Sequence, residues 1–180
     1  MTSGTERPAG ARHEPPPGLS HLNALPAGEA AAALRAVCGS TAWVDALLAA
    51  RPYPSTVRLL AASDAATAAL TDAELAEALA EHPPIGAPKP GDPVSAREQR
   101  GMAGASDALR ERMRELDRAY RSTFGHVFLV CATGLTAEQL VAAVEQRLGN
   151  PPERERVVVR TELSKINRIR LTRLVEEADA

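Results

Sequence analysis

The chain has 180 residues, 44% of them hydrophobic and only 3% aromatic, with a formal net charge of −2. This length suits one domain plus a tail, and the hydrophobic content excludes disorder throughout. The near-neutral charge gives no footprint for nucleic acid or an anionic membrane, and no apolar run approaches the roughly 20 residues that cross a bilayer.

Residues 1–17 carry Pro8, Pro15, Pro16 and Pro17 without periodicity, so they read as a disordered tail. They contain no apolar h-region, which argues against a signal peptide. The domain is expected over residues 18–178. Cys38 and Cys131 stand far apart in apolar surroundings, as reduced and buried thiols do, and this points to the cytoplasm.

Order is expected to begin near Leu19, with a short turn of helix before Pro26. Residues 27–37 form an Ala-rich helix that stops at Gly39. Ser40 caps the next helix, where Trp43 pairs with Leu47 and Val44 with Leu48 at i,i+4 spacing. Arg51-Pro52-Tyr53-Pro54 ends it, and Ser55 caps another. Thr71 and Glu74 make a capping box, and Leu75 and Leu79 give that helix its buried face. His82 falls in its last turn, because Pro83 and Pro84 cannot continue it.

A loop with five prolines and two glycines runs from Pro83 to Pro93. Ser95 and Glu98 have the spacing of a second capping box, opening a short helix that weakens at Gly101 and Gly104. Ser106 caps a long helix with an apolar stripe at Leu109, Met113, Leu116 and Tyr120, closed by Phe124-Gly125. Val127 to Cys131 is an apolar run with no strand to pair with, so an extended connector is expected. Thr136 and Gln139 box the next helix, Gly149-Asn150-Pro151-Pro152 stops it, and the last helix runs from about Glu153 to Glu177. The sum is an all-α domain, a single compact bundle of seven or eight helices without significant sheet.

Three residues invite a chemical reading. His82 at a helix end is accounted for by an imidazolium favoured by the helix dipole, but the following Pro-Pro also fixes the chain in a way that aims a side chain. Glu98 either returns to the Ser95 N–H as a cap or presents a carboxylate to a ligand, with Gln99 beside it. Arg170 falls within a stripe of Val159, Leu163, Ile166 and Leu174. A guanidinium there is either a structural partner of a buried carboxylate, a snorkelling stem, or a clamp for a planar anion. The four histidines show no metal-ligand spacing, and there is no phosphate loop or serine elbow. The Arg154-Glu155-Arg156 cluster reads as a solvated helix face.

Seven segments in this order resemble the 2-oxo-4-hydroxy-4-carboxy-5-ureidoimidazoline (OHCU) decarboxylase family. They are Leu22-Asn23-Ala24-Leu25-Pro26; Cys38-Gly39-Ser40 with Trp43; Arg51-Pro52-Tyr53; His82-Pro83-Pro84-Ile85-Gly86; Ser95 with Glu98-Gln99; Tyr120 with Phe124-Gly125 and Phe128; and Glu162-Leu163 through Ile169-Arg170-Leu171. The resemblance implies an all-α homodimer that uses no metal or organic cofactor and converts OHCU to (S)-allantoin after urate oxidase and hydroxyisourate hydrolase. It implies His82 as the main acid/base residue, assisted by Glu98. Pro83, Ser95 and Gln99 would line the substrate, backbone groups of Phe128, Leu129, Val130 and Cys131 would touch the heterocycle, and Arg170 would bind an anionic or carbonyl edge. His126 and Asp117 depart from the family pattern. Two other readings stay open: a related ureido or imidazoline acid as substrate, and a catalytically silent helical interaction domain.

Overall fold

The computed structural model describes residues 15–88 and 90–177. Most of the expected tail lies outside the described residues, but Pro17 is not part of a tail: it opens the first helix, where its fixed φ and missing N–H cost nothing. The elements in order are α1 (Pro17–Ala24), α2 (Ala27–Val37), α3 (Thr41–Ala49), α4 (Thr56–Ala69), α5 (Asp72–Ala80), α6 (Pro93–Glu98), a 3₁₀ turn (Arg100–Met102), α7 (Asp107–Phe124), α8 (Ala137–Leu148) and α9 (Pro152–Glu177). No strand occurs among the described residues, and none of their helices is long and apolar enough to cross a membrane.

Local signals set most helix starts. Ser40, Ser55 and Ser106 each accept a hydrogen bond from the backbone N–H three residues on. Thr71 with Glu74, and Thr136 with Gln139, form reciprocal capping boxes. Gly125 ends α7 at φ +79°, a conformation that suits glycine.

The Ser95–Glu98 box does not form. Asp92 caps α6 instead, accepting from the Val94 N–H, with Pro93 at the first helical position. An Asp-Pro pair combines a strong cap with a pre-set φ, so the helix starts three residues earlier than Ser95 would start it. Ser95 sits inside the helix and Glu98 is its last residue.

Two apolar cores share one seam. The larger joins residues of α1 to α5 with α9, around Trp43, Leu47, Leu59 and Leu163. The smaller joins α7 and α8 with Ile85 and Met102. The extended segment after Gly125 runs between them, and its side chains alternate: Val127 and Leu129 enter the larger core, while Phe128, Val130 and Ala132 enter the smaller. Period-two alternation is what an extended backbone imposes, so an all-apolar run here fills two cores at once. The connector reading holds.

The α1 corner brings together two of the seven spaced segments, Leu22-Asn23-Ala24-Leu25-Pro26 and Arg51-Pro52-Tyr53. Asn23 and Tyr53 exchange hydrogen bonds, the Asn23 amide donating to the Tyr53 carbonyl and the Tyr53 N–H to Asn23 Oδ1, both at 2.8 Å. Arg51 donates to the carbonyls of Leu22 and Leu25. These bonds tie the end of α1 to the turn after α3.

The α9 stripe differs from expectation in its second half. Leu171 and Val175 are buried there, Leu174 is only partly buried, and Arg170 lies at the edge of the buried face. Neighbours on several sides of α9 bury more than one stripe, so no single face carries the pattern.

Candidate active site

The seam ends in a narrow cleft with about 430 Å³ of space including its mouth. His82, Pro83, Glu98 and Gln99 line one side, and Phe128, Leu129, Val130 and Cys131 the other. The structure therefore brings eight of the expected site residues together. Ile85, Ala132, Thr133, Ile166 and Ile169 complete the walls.

His82 stands just beyond α5, after the C-cap Glu81, rather than in the last helical turn. Its ring folds back and Nδ1 lies 2.9 Å from the Ala78 carbonyl, one of the unpaired acceptors at the helix end. A carbonyl can only accept, so Nδ1 carries the hydrogen and Nε2 holds a lone pair. Nε2 is buried with no hydrogen-bond partner among the described residues. Burial, and then the positive charge of Arg170, push the His82 pKa down to about 4; the Ala78 bond and the charges of Glu98 and Glu81 offset this only in part. The imidazolium that a helix dipole would favour is not the form present at neutral pH. Desolvation outweighs the dipole.

Glu98, freed from capping, is held by Arg170. Nε donates to Oε1 and Nη2 to Oε2, both at 2.8 Å, while Nη1 donates to the Val37 carbonyl at 2.9 Å. This is the bidentate fork that Arg forms with carboxylates, in side chains 15% and 13% exposed. Of the readings open for Arg170, the partner of a carboxylate is the one observed. Arg170 stands behind Glu98 and does not line the His82 cleft; it lines a neighbouring one with Arg35, His82 and Pro83.

Gln99 is buried and joins the proline loop to α6. Its Oε1 accepts from the Gly86 N–H at 2.8 Å and its Nε2 donates to the Pro84 carbonyl at 3.1 Å. Ser95 is buried on α6, its hydroxyl donating to the Asp92 carbonyl, and is not among the side chains lining the cleft.

The connector's backbone is partly engaged already. The Cys131 N–H donates to Glu162 at 2.8 Å, and the Leu129 carbonyl accepts from Arg147 at 2.6 Å. Burial pushes the Cys131 thiol up, so it is no ready thiolate.

Sequence reasoning missed the group that holds this connector. Arg147 donates from Nε to Glu155 at 2.7 Å, and its guanidinium lies 4.6 Å from the centre of the Phe128 ring. The Tyr120 hydroxyl also bonds Glu155, and the Asn150 amide donates to it at 2.6 Å. Glu155 is fully buried, contrary to the solvated face expected for Arg154-Glu155-Arg156. The signal was present: Glu155 falls four residues before Val159 on the buried stripe. Burial pushes its carboxyl up, but the bonds from Arg147, Asn150 and Tyr120 outweigh this and hold it below the usual range.

The two departures from the family pattern lie away from the cleft. His126 packs edge-on to Tyr120 with ring centres 5.5 Å apart, and Asp117 accepts from Arg121 at 2.8 Å. Among the described residues no group of three or more His, Cys, Asp or Glu could hold a metal ion.

The family model of OHCU decarboxylase matches residues 23–172. The chain belongs to the OHCU decarboxylase family. It is 26% identical over 148 residues to the uric acid degradation bifunctional protein TTL of Arabidopsis thaliana, covering 78% of this chain and 45% of that protein. It is 33% identical over 75 residues to the 2-oxo-4-hydroxy-4-carboxy-5-ureidoimidazoline decarboxylase of Amia calva, covering 42% of each. The chain thus spans under half the length of these curated relatives. A crystal structure of OHCU decarboxylase in the presence of (S)-allantoin shares the fold, with a TM-score of 0.70 at 22% identity over 79% of this chain and 96% of that one. A crystal structure of (S)-allantoin synthase superposes with a TM-score of 0.67 at 25% identity, over 87% of this chain and 53% of that one.

Proposed function

We propose that this chain decarboxylates OHCU to (S)-allantoin in urate degradation, without a cofactor. In OHCU, ring carbon 4 bears a hydroxyl and a carboxylate, and carbon 5 bears the ureido group and is double-bonded to a ring nitrogen. Breaking the bond from carbon 4 to the carboxylate releases CO2. Its electron pair forms a double bond to carbon 5, and the displaced pair goes to the ring nitrogen, which is protonated. The hydroxyl then loses its proton to become a carbonyl, and carbon 5 takes a proton on one face, which sets the (S) centre.

The observation that carries this reading is the buried, unpartnered Nε2 of His82 in the same apolar cleft as Glu98. Nε2 can take the hydroxyl proton, and the low pKa of the ring makes it ready to give that proton to carbon 5. Glu98, oriented by Arg170, accepts an N–H or O–H of the substrate. Phe128, Leu129 and Val130 keep water from the electron-rich intermediate. Pro83 and Gln99 shape the cleft, and Arg170 and Ser95 act from behind it. We further propose a homodimer in the cytoplasm, acting after urate oxidase and hydroxyisourate hydrolase. The unpaired Cys38 and Cys131 and the family resemblance support this.

The test is circular dichroism of a mixture in which those two enzymes generate OHCU in place. The wild-type chain accelerates formation of the (S) product, and His82→Ala loses on the order of 10²–10⁴-fold while staying helical. A wild-type rate at the spontaneous background sinks the reading and leaves the silent interaction domain. Competition by related ureido and imidazoline acids separates the remaining substrates.

A further inference from the structure

The three elements that build the His82 cleft continue past it into a second one. Beyond Glu98 and Gln99 on α6 and the 3₁₀ turn comes Arg100, beyond Cys131 and Ala132 on the connector comes Thr133, and one turn beyond Ile169 on α9 comes Arg173. Arg97 and Thr136 also line this second cleft, and Thr133 lines both. Gly101 lets the 3₁₀ turn close against the start of α8: a Cβ there would stand 1.9 Å from the Leu135 carbonyl oxygen.

No Asp or Glu is among the described residues lining the second cleft. Arg100 and Arg173 form no ion pair with a described residue, and Arg173 Nη1 is shielded from water without a hydrogen-bond partner. Glu98, two residues before Arg100, is neutralised by Arg170, and Glu162 on α9 by Lys165, while Glu176, three residues past Arg173, is exposed and does not line the cleft. A guanidinium nitrogen that is shielded and unpaired, as Arg173 Nη1 is, is held at a cost that an anion would relieve. Arg100 and Arg173 thus place positive charge beside the reactive cleft of a chain whose net charge is −2.

We propose that this arginine-lined cleft is the entry subsite for a carboxylate-bearing substrate, drawing the anion to the mouth shared at Thr133 before it reaches His82. The inference rests on the decarboxylase reading and names how that site recruits its substrate. Neither arginine touches the reacting atoms, so their loss acts on capture and not on the chemical step.

The test compares wild type with Arg100→Gln, Arg173→Gln and the double variant, each checked for native helicity and melting temperature. In the double variant kcat/KM falls about threefold to tenfold at low ionic strength while kcat stays unchanged. The gap closes as salt rises towards about 1 M, where screening is nearly complete. Arg100→Gln, on an exposed residue, gives part of the same effect without touching the packing of α9. An active double variant with wild-type kcat/KM at low salt overturns the proposal. A wild type that never accelerates (S)-allantoin formation sinks the decarboxylase reading instead. In that case inorganic sulfate is titrated and the Thr133 and Gly134 amides are followed by NMR. Saturable shifts that vanish in the double variant support an anion subsite, and their absence from the wild type overturns it.

Discussion

Two arginine–carboxylate pairs flank the connector, and they are built for different ends. Arg147 and Glu155 are both buried, and Tyr120, Asn150 and the Leu129 carbonyl engage their remaining hydrogen-bonding groups. Arg170 and Glu98 form an equally direct fork, but Glu98 lines an open cleft that also holds a histidine with an unpartnered nitrogen. The first pair is closed on all sides and acts on the fold, fixing where Phe128 and Leu129 stand. The second presents its carboxylate to whatever enters. The chemistry of the pair is the same, so the role is set by which neighbours complete it.

Breaking the closed pair gives the largest effect. Arg147→Ala leaves Glu155 charged, buried and short of donors, and loses about 3–5 kcal/mol of stability. Urea unfolding measures this, and a loss under about 1 kcal/mol would mean that Glu155 finds water in place of the guanidinium.

The pH dependence of the open site comes next. His82 has a pKa of about 4 in the folded chain and an ordinary value when unfolded, so between these the unfolded state binds the extra proton. Stability therefore falls as pH drops from about 6.5 through 4, by on the order of 3 kcal/mol in total. His82→Gln removes that part of the slope in unfolding curves taken across this range. Activity, which needs Nε2 unprotonated, stays level down to about pH 5 and then declines.

Glu98→Gln keeps the shape of the open pair and removes its charge. Turnover falls about 10²-fold, while the melting temperature moves far less than in Arg147→Ala. Equal losses of stability in the two variants would erase the distinction between the pairs.

The smallest effect is expected at the rim, where Lys165 pairs with Glu162 at 2.6 Å and is 55% exposed. Lys165→Met costs roughly 0–1 kcal/mol by thermal unfolding, because Glu162 keeps the Cys131 N–H without it.

Much of this was legible in the chain because it is local. Caps at Ser40, Ser55, Thr71, Ser106 and Thr136 act over three residues, so sequence order and spatial order coincide. The apolar stripe of α7 and the unpaired apolar run at Val127 to Cys131 were legible for the same reason. Ser95 with Glu98 misled because two local signals compete there and the Asp92-Pro93 pair is the stronger. Glu155 misled because its polar neighbours in sequence are not its neighbours in space.

What the sequence determined alone is the all-α class, most of the helix starts, the proline-rich stretch between His82 and Glu98, and the family pattern carried by the spaced segments. Only the tertiary structure decided that His82 is neutral with a buried Nε2 and nothing bonded to it, that Arg170 serves Glu98, and that Arg147 and Glu155 hold the connector. The physical reason is distance. Helix propensity and capping act within a turn of the chain, whereas desolvation and charge pairing depend on groups 72 residues apart for Arg170 and Glu98, which only folding brings together.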